Sequence, residues 1–236
     1  MVEKKLSAEK REFIEKLQEN CISGDSEKFV RVRRENEHKA LHILKVTRGN
    51  ITKDTFLRFY EYWNTEYLLC KLHNYKEVLP LRNETITRFE PIHLTIQKIY
   101  NEENICYRDV CAWHSSLWEK IKRGSECECS DLRKIICEEY DKTNIKYVRP
   151  VIFSVIMYLR FPDIFNVTSE HLQKGLHWLT GVEINVKSGQ EYLEYNDAVT
   201  GLRKECNLCP QEVDYILSCA KRKADEEEKA RKAKEQ

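Results

Sequence analysis

Few residues in this chain can make a sharp turn: it has seven glycines and five prolines in 236 residues. Strand-rich folds need such residues at every hairpin, so this scarcity predicts long helices joined by short corners. No alternating run exceeds the five residues of VEINV, 182 to 186. Hydrophobic residues are 41% of the chain and aromatic residues 10%, enough for a substantial core. The expected fold class is all-α, a multi-helix orthogonal bundle of about nine or ten helices with negligible strand.

Helix starts and stops can be placed from capping chemistry. Ser7 precedes a helix with Leu6, Phe13 and Leu17 near one face, and Asp25 or Ser26 opens a second over 27 to 47, closed by Gly49. Thr52 opens a third with the aromatic stripe Phe56, Phe59, Tyr60, Trp63 and Tyr67, read as core-facing. Pro91 begins another, and a further helix covers YRDVCAWHSSLWEKIK with Val110, Trp113 and Leu117 on one face. Ser130 is expected to cap DLRKIICEEY, and Pro150 to kink or to begin the most apolar helix. Pro162 stops that helix, Thr168 caps the next, and Gly181 ends it; Ser188 and Pro210 open the last two. Residues 1–220 are expected to form a single helical domain, with subdomains 1–80 and 81–220 meeting near HNYKEVLPLRNET. Residues 221–236 are read as a charged helical tail.

Charge and hydropathy limit the function classes. Lys plus Arg (40) and Asp plus Glu (39) nearly cancel, so any attraction to nucleic acid must come from a local patch. The longest apolar run, VIFSVIMYL at 151–159, is about half the ~20 residues that span a bilayer. The N-terminal stretch lacks the apolar core of a secretion signal. The expectation is a cytoplasmic protein with no membrane partner.

The densest patch is KFVRVRRENEHKALHILKVTRGN. It places Lys28, Arg31, Arg33, Arg34, Lys39, Lys45 and Arg48 on a basic amphipathic helix at 28–48. Such a helix can lie along a phosphate backbone and release counterions, and Arg33 and Arg34 can reach base edges. A non-catalytic DNA-binding module is therefore the leading expectation, with solvated charge as the plain alternative. His38 and His42, four residues apart, have a spacing that can chelate a metal, but lack the glutamate of H-E-x-x-H. Asp109, Cys111 and His114 lie close in sequence, which is no evidence for a triad.

Ten cysteines raise the question of metal. Cys127, Cys129, Cys206 and Cys209 have the donor number of a zinc site, giving a metal-stapled domain or a metal-dependent enzyme as an alternative. Most of the cysteines, among them Cys70 and Cys137, read instead as reduced core residues, and no cofactor is expected. A second alternative is a protein–protein adaptor using the charged tail, where Glu227 with Arg231 and Glu228 with Lys232 have pairing spacing.

Residues 143 to 181, TNIKYVRPVIFSVIMYLRFPDIFNVTSEHLQKGLHWLTG, join an apolar helix, a Phe-Pro-Asp corner and a capped helix. This segment resembles part of the helix-hairpin-helix DNA glycosylases. The resemblance implies DNA association rather than base excision. Asn166 stands where a catalytic Asp is expected, and no Gly-rich hairpin precedes Pro150.

Overall fold

The structure is a computed structural model that describes residues 6–24, 27–47, 107–124, 129–143 and 151–235. Among these residues every regular element is a helix, eight in all, and no strand occurs. They are α1 (Ala8–Ser23), α2 (Glu27–Val46), α3 (Tyr107–Gly124), α4 (Cys129–Lys142), α5 (Val151–Arg160), α6 (Glu170–Thr180), α7 (Gly189–Cys206) and α8 (Pro210–Lys234). The helices expected over 52–72 and after Pro91, with their aromatic stripe, lie outside the described residues, as does the seam near residue 80. The all-helical expectation holds among the described residues, whose helix count is eight against an expected nine or ten for the whole chain.

The chain divides into two compact units: Met1–Gly24 with Ser154–Gln236, and Asp25–Phe153. In the first, α6 packs along α8, and α1 lies against α7 and α8. Leu172, Leu176, Leu179, Val199, Leu202, Val213, Ile216 and Leu217 fill its core. Glycine is required at 175, because a Cβ there would overlap the backbone carbonyl of Leu217 on α8. The two helices thus meet backbone to backbone.

Local chemistry sets the helix ends. The Ser7 hydroxyl accepts from the Lys10 amide at 3.3 Å. Ser188 and Glu191 form a full capping box, and Gly181 closes α6 in the left-handed region at φ 70°. Pro210 opens α8, where the Glu212 carboxylate accepts from the Cys209 amide at 2.7 Å. Two expected caps are displaced. Ser130 lies inside α4, and Ser169 rather than Thr168 caps α6, accepting from Leu172 at 3.3 Å. Thr168 is instead tied to Ser154, whose hydroxyl accepts from its amide at 3.0 Å. Pro150 immediately precedes α5, and α5 ends before Pro162.

Side-chain faces are also rotated from expectation. On α1 the buried residues are Ile14 and Cys21, while Phe13 and Leu17 are half-buried. Phe13 meets Trp178 edge-on at 5.1 Å between centroids, and Lys10 lies over the Trp178 ring. Arg11 pairs with Glu205, and the Gln18 amide donates to the Asn207 carbonyl at 3.1 Å.

Asn166 is buried and structural. Its amide N–H donates to Asn196 Oδ1 at 2.5 Å, and its side chain donates to Thr200 at 3.3 Å and accepts from Arg203 at 3.1 Å. Arg203 also donates to the Pro162 carbonyl at 2.8 Å, which fastens the Phe-Pro-Asp corner to α7. A buried backbone N–H left without such a partner costs about 1–3 kcal/mol.

In the second unit α3 packs on α4 through Leu117, Ile121, Leu132, Ile136 and Tyr140. The Trp113 indole donates to Thr143 at 3.1 Å, and Lys120 pairs with Glu139 at 2.7 Å. The face of α3 centres on His114, Leu117, Trp118 and Ile121, with Trp113 only half-buried.

Gly175→Ala is expected to destabilise the protein by about 1–3 kcal/mol, the usual cost of forcing an extra group into a packed core. Urea unfolding followed by circular dichroism measures it, and an unchanged midpoint would contradict the close crossing.

Candidate nucleic-acid interface

α2 has two distinct faces. Val30, Arg33, Asn36 and Ala40 are buried, three or four residues apart, and form one side of the helix. Glu27, Arg31, Arg34, Glu35, His38, Lys39, His42, Lys45 and Val46 are exposed. The basic cluster read from sequence is therefore split by the helix. Arg31, Arg34, Lys39 and Lys45 face solvent, whereas Arg33 is 8% exposed. Arg48 and the side chain of Lys28 lie outside the described residues.

Arg33 is held by a partner on its own helix. Its Nε donates to Glu37 Oε1 at 2.9 Å, and the two side chains are 10% and 12% exposed. The i,i+4 spacing places the carboxylate one turn on, where it offsets the cost of burying the guanidinium. Arg33 is thus an anchoring residue, and a base-reading role for it is corrected by its burial. The aliphatic positions Val32, Leu41 and Ile43 are only half-buried and flank the buried side.

Among the described residues no group of three or more His, Cys, Asp or Glu side chains converges to hold a metal. Cys127 and the side chain of Cys129 lie outside the described residues, so of the four-cysteine set only Cys206 and Cys209 are described. Cys206 and Cys209 are half-buried at the α7–α8 corner, and Cys21 and Cys219 are buried. Burial pushes the Cys206 and Cys219 thiols up, and the Cys219 sulfur accepts from Arg222 at 2.8 Å.

Sequence reasoning did not single out Cys21. Burial, then the charge of Glu212, push its thiol up from 9.0 to about 12. The signal was its spacing, one heptad after Ile14 on the face of α1 that meets α8. A thiol held neutral in this way is a poor nucleophile and a poor ligand.

The remaining candidates resolve as follows. His38 and His42 are both exposed on α2. His114 is 1% exposed and stacks on Trp118 at 6.3 Å, while the side chains of Asp109 and Cys111 are not described. In the tail, α8 continues unbroken to Lys234 with residues 226–235 exposed. Lys232 pairs with Glu228 at 2.5 Å as its spacing suggests. Glu227 instead accepts from the Trp178 indole at 2.8 Å, so α6 holds the first part of the tail.

By fold the described residues are all-helical, and no helix among them is long and apolar enough to cross a membrane. Comparison with protein-family models, with curated proteins and with solved structures finds no match.

Two outcomes are expected. Arg33→Met alone removes one half of this buried pair and should cost about 3–5 kcal/mol, whereas Arg33→Met with Glu37→Met should cost less than the single change. A double-mutant cycle in urea reads the difference; additive costs would contradict the pair. The second concerns pH. The folded pKa of Cys21 lies above its unfolded value, so its contribution is whole below pH 9 and is lost as pH rises toward about 12. Stability measured through that range should fall less steeply in Cys21→Val than in the native protein.

Proposed function

We propose that the protein is a non-catalytic DNA-binding module whose contact surface is the exposed face of α2. The observation that supports this reading is the division of the helix. Its buried side fixes the helix in the unit, leaving Arg31, Arg34, Lys39 and Lys45 together in solvent. Neutralising phosphates releases condensed counterions, so even a small basic face gains affinity at low salt. Glu27 and Glu35 on the same face moderate the attraction, in keeping with weak rather than tight association. The proposal includes a cytoplasmic location and an orthogonal arrangement of the helices.

A second reading, a protein–protein adaptor using residues 221–236, draws on the exposed end of α8. Its mixed charges and lack of an apolar seam suit transient contacts better than a coiled coil.

The test is a filter-binding salt series with duplex DNA. Arg31→Glu, Arg34→Glu and Lys45→Glu together should weaken binding about tenfold or more at low salt, because three attractive charges become repulsive. Absence of native binding at low salt, or an unaffected triple variant, would refute the proposal. Arg33 is left intact in that variant because it is buried against Glu37 and its loss would destabilise the protein.

A further inference from the structure

We infer that α1 is exchanged between two copies of this chain: the surface of α6, α7 and α8 that holds α1 is a docking site, and its occupant is the α1 of a second copy. This goes beyond the DNA-binding reading and does not depend on it. Met1–Gly24 belongs with Ser154–Gln236, yet the chain joins the two only through Asp25–Phe153, which forms a unit of its own. The contacts that place α1 lie within its own unit. The Lys10 ammonium stands over the Trp178 ring, 2.7 Å from its centroid, and Phe13 meets the same ring edge-on at 5.1 Å. Arg11 pairs with Glu205, and the Gln18 amide donates to the Asn207 carbonyl at 3.1 Å.

The chemistry of that surface selects its occupant. It asks for a cation on the indole face, an aromatic ring beside it, a guanidinium for Glu205 and an amide donor for Asn207. It also asks for small apolar groups where Ile14 and Cys21 are buried. A foreign helix must carry all of these in one order, whereas a second copy of the chain carries them by identity. In an exchanged pair each copy gives its α1 and receives the other's, so both surfaces are filled and the assembly closes at two. Exchange repeats the contacts already made within the chain, and chain concentration then decides between the two arrangements. The apolar side chains that this amino-terminal segment buries are few, Leu6, Ile14 and Cys21. Elements with few buried apolar contacts open at lower free energy than the core, which gives α1 a route to release.

The experiment mixes equal amounts of unlabelled and heavy-isotope-labelled full chain, unfolds them in urea and refolds them together over a concentration series. Size-exclusion chromatography with light scattering separates single chains of 28.2 kDa from pairs. Each fraction is then treated with a water-soluble carbodiimide, which joins an amine to a carboxylate without a spacer. Lys10 and Glu227 meet the same tryptophan, one on its ring and one at its indole N–H, and mass spectrometry reads the peptide that links them. The dimer fraction should grow with concentration, and about half of its Lys10–Glu227 links should join a labelled to an unlabelled chain, as random exchange requires. Links in the monomer fraction should be of one isotope only. Lys10→Ala with Phe13→Ala removes two contacts of α1 with Trp178 and should lower the dimer fraction, with circular dichroism confirming that the variant is folded. No dimer at any concentration, a dimer whose links are all of one isotope, or an undiminished dimer in the folded variant would overturn the inference.

Discussion

The backbone contact of α6 with α8 at Gly175 and Leu217 sets the geometry of the unit that contains it. A side chain at 175 would hold the helices apart, and the leucines on either side of it would lose their contacts. With the helices this close, Trp178, three residues beyond the crossing, reaches Glu227 on α8 and also receives Phe13 and Lys10 of α1. One tryptophan therefore joins three helices. Its indole N–H meets Glu227, and its ring meets both Phe13 and Lys10. The second fastening, Asn166 with Asn196, Thr200 and Arg203, acts at the opposite end of α6 and holds the corner that feeds it.

Much of this fold was legible because it is decided by chemistry within four residues. Ser7, Ser188, Gly181 and Pro210 mark helix ends through hydrogen bonds and dihedral preferences that need no distant partner. Thr168 and Ser169 show the limit of that method. Two adjacent hydroxyls have equal local claims; in the fold the Thr168 hydroxyl accepts from the Gln173 side chain, and Ser169 caps the helix. The Asn166 network was not legible at all, since its partners lie thirty or more residues away. On α1 the sequence pattern put Phe13 and Leu17 inward. Packing against α7 and α8 turned the helix so that Ile14 and Cys21 took the buried positions.

The candidate site was legible only in part, for a related physical reason. Counting arginines treats charge as a marker of solvent exposure. That holds for Arg31 and Arg34, and fails for Arg33 because Glu37 stands one turn away to receive it. The carboxylate was visible in the sequence, but it reads equally as an acid that interrupts a basic patch. Only the position of the buried arc, set by Val30 and Ala40, distinguishes the two. The cysteine pair at the α7–α8 corner also admits two readings from sequence. A spacing familiar from metal knuckles here accompanies a helix start, with Cys209 donating its amide to Glu212.

The division of the chain has a consequence for synthesis. α1 is synthesised before residues 25–153, yet it belongs with residues 154–236, which are synthesised after them. Its apolar positions, Ile14 and Cys21, have no native surface to cover until α7 and α8 have been made. The unit that spans Asp25–Phe153 is complete before then, so its assembly comes first. α1 therefore waits while residues 25–153 are made, before the helices it packs against exist. A charge-rich outer surface on that helix, with Glu9, Glu12, Glu15 and Lys16, keeps the waiting segment in solution.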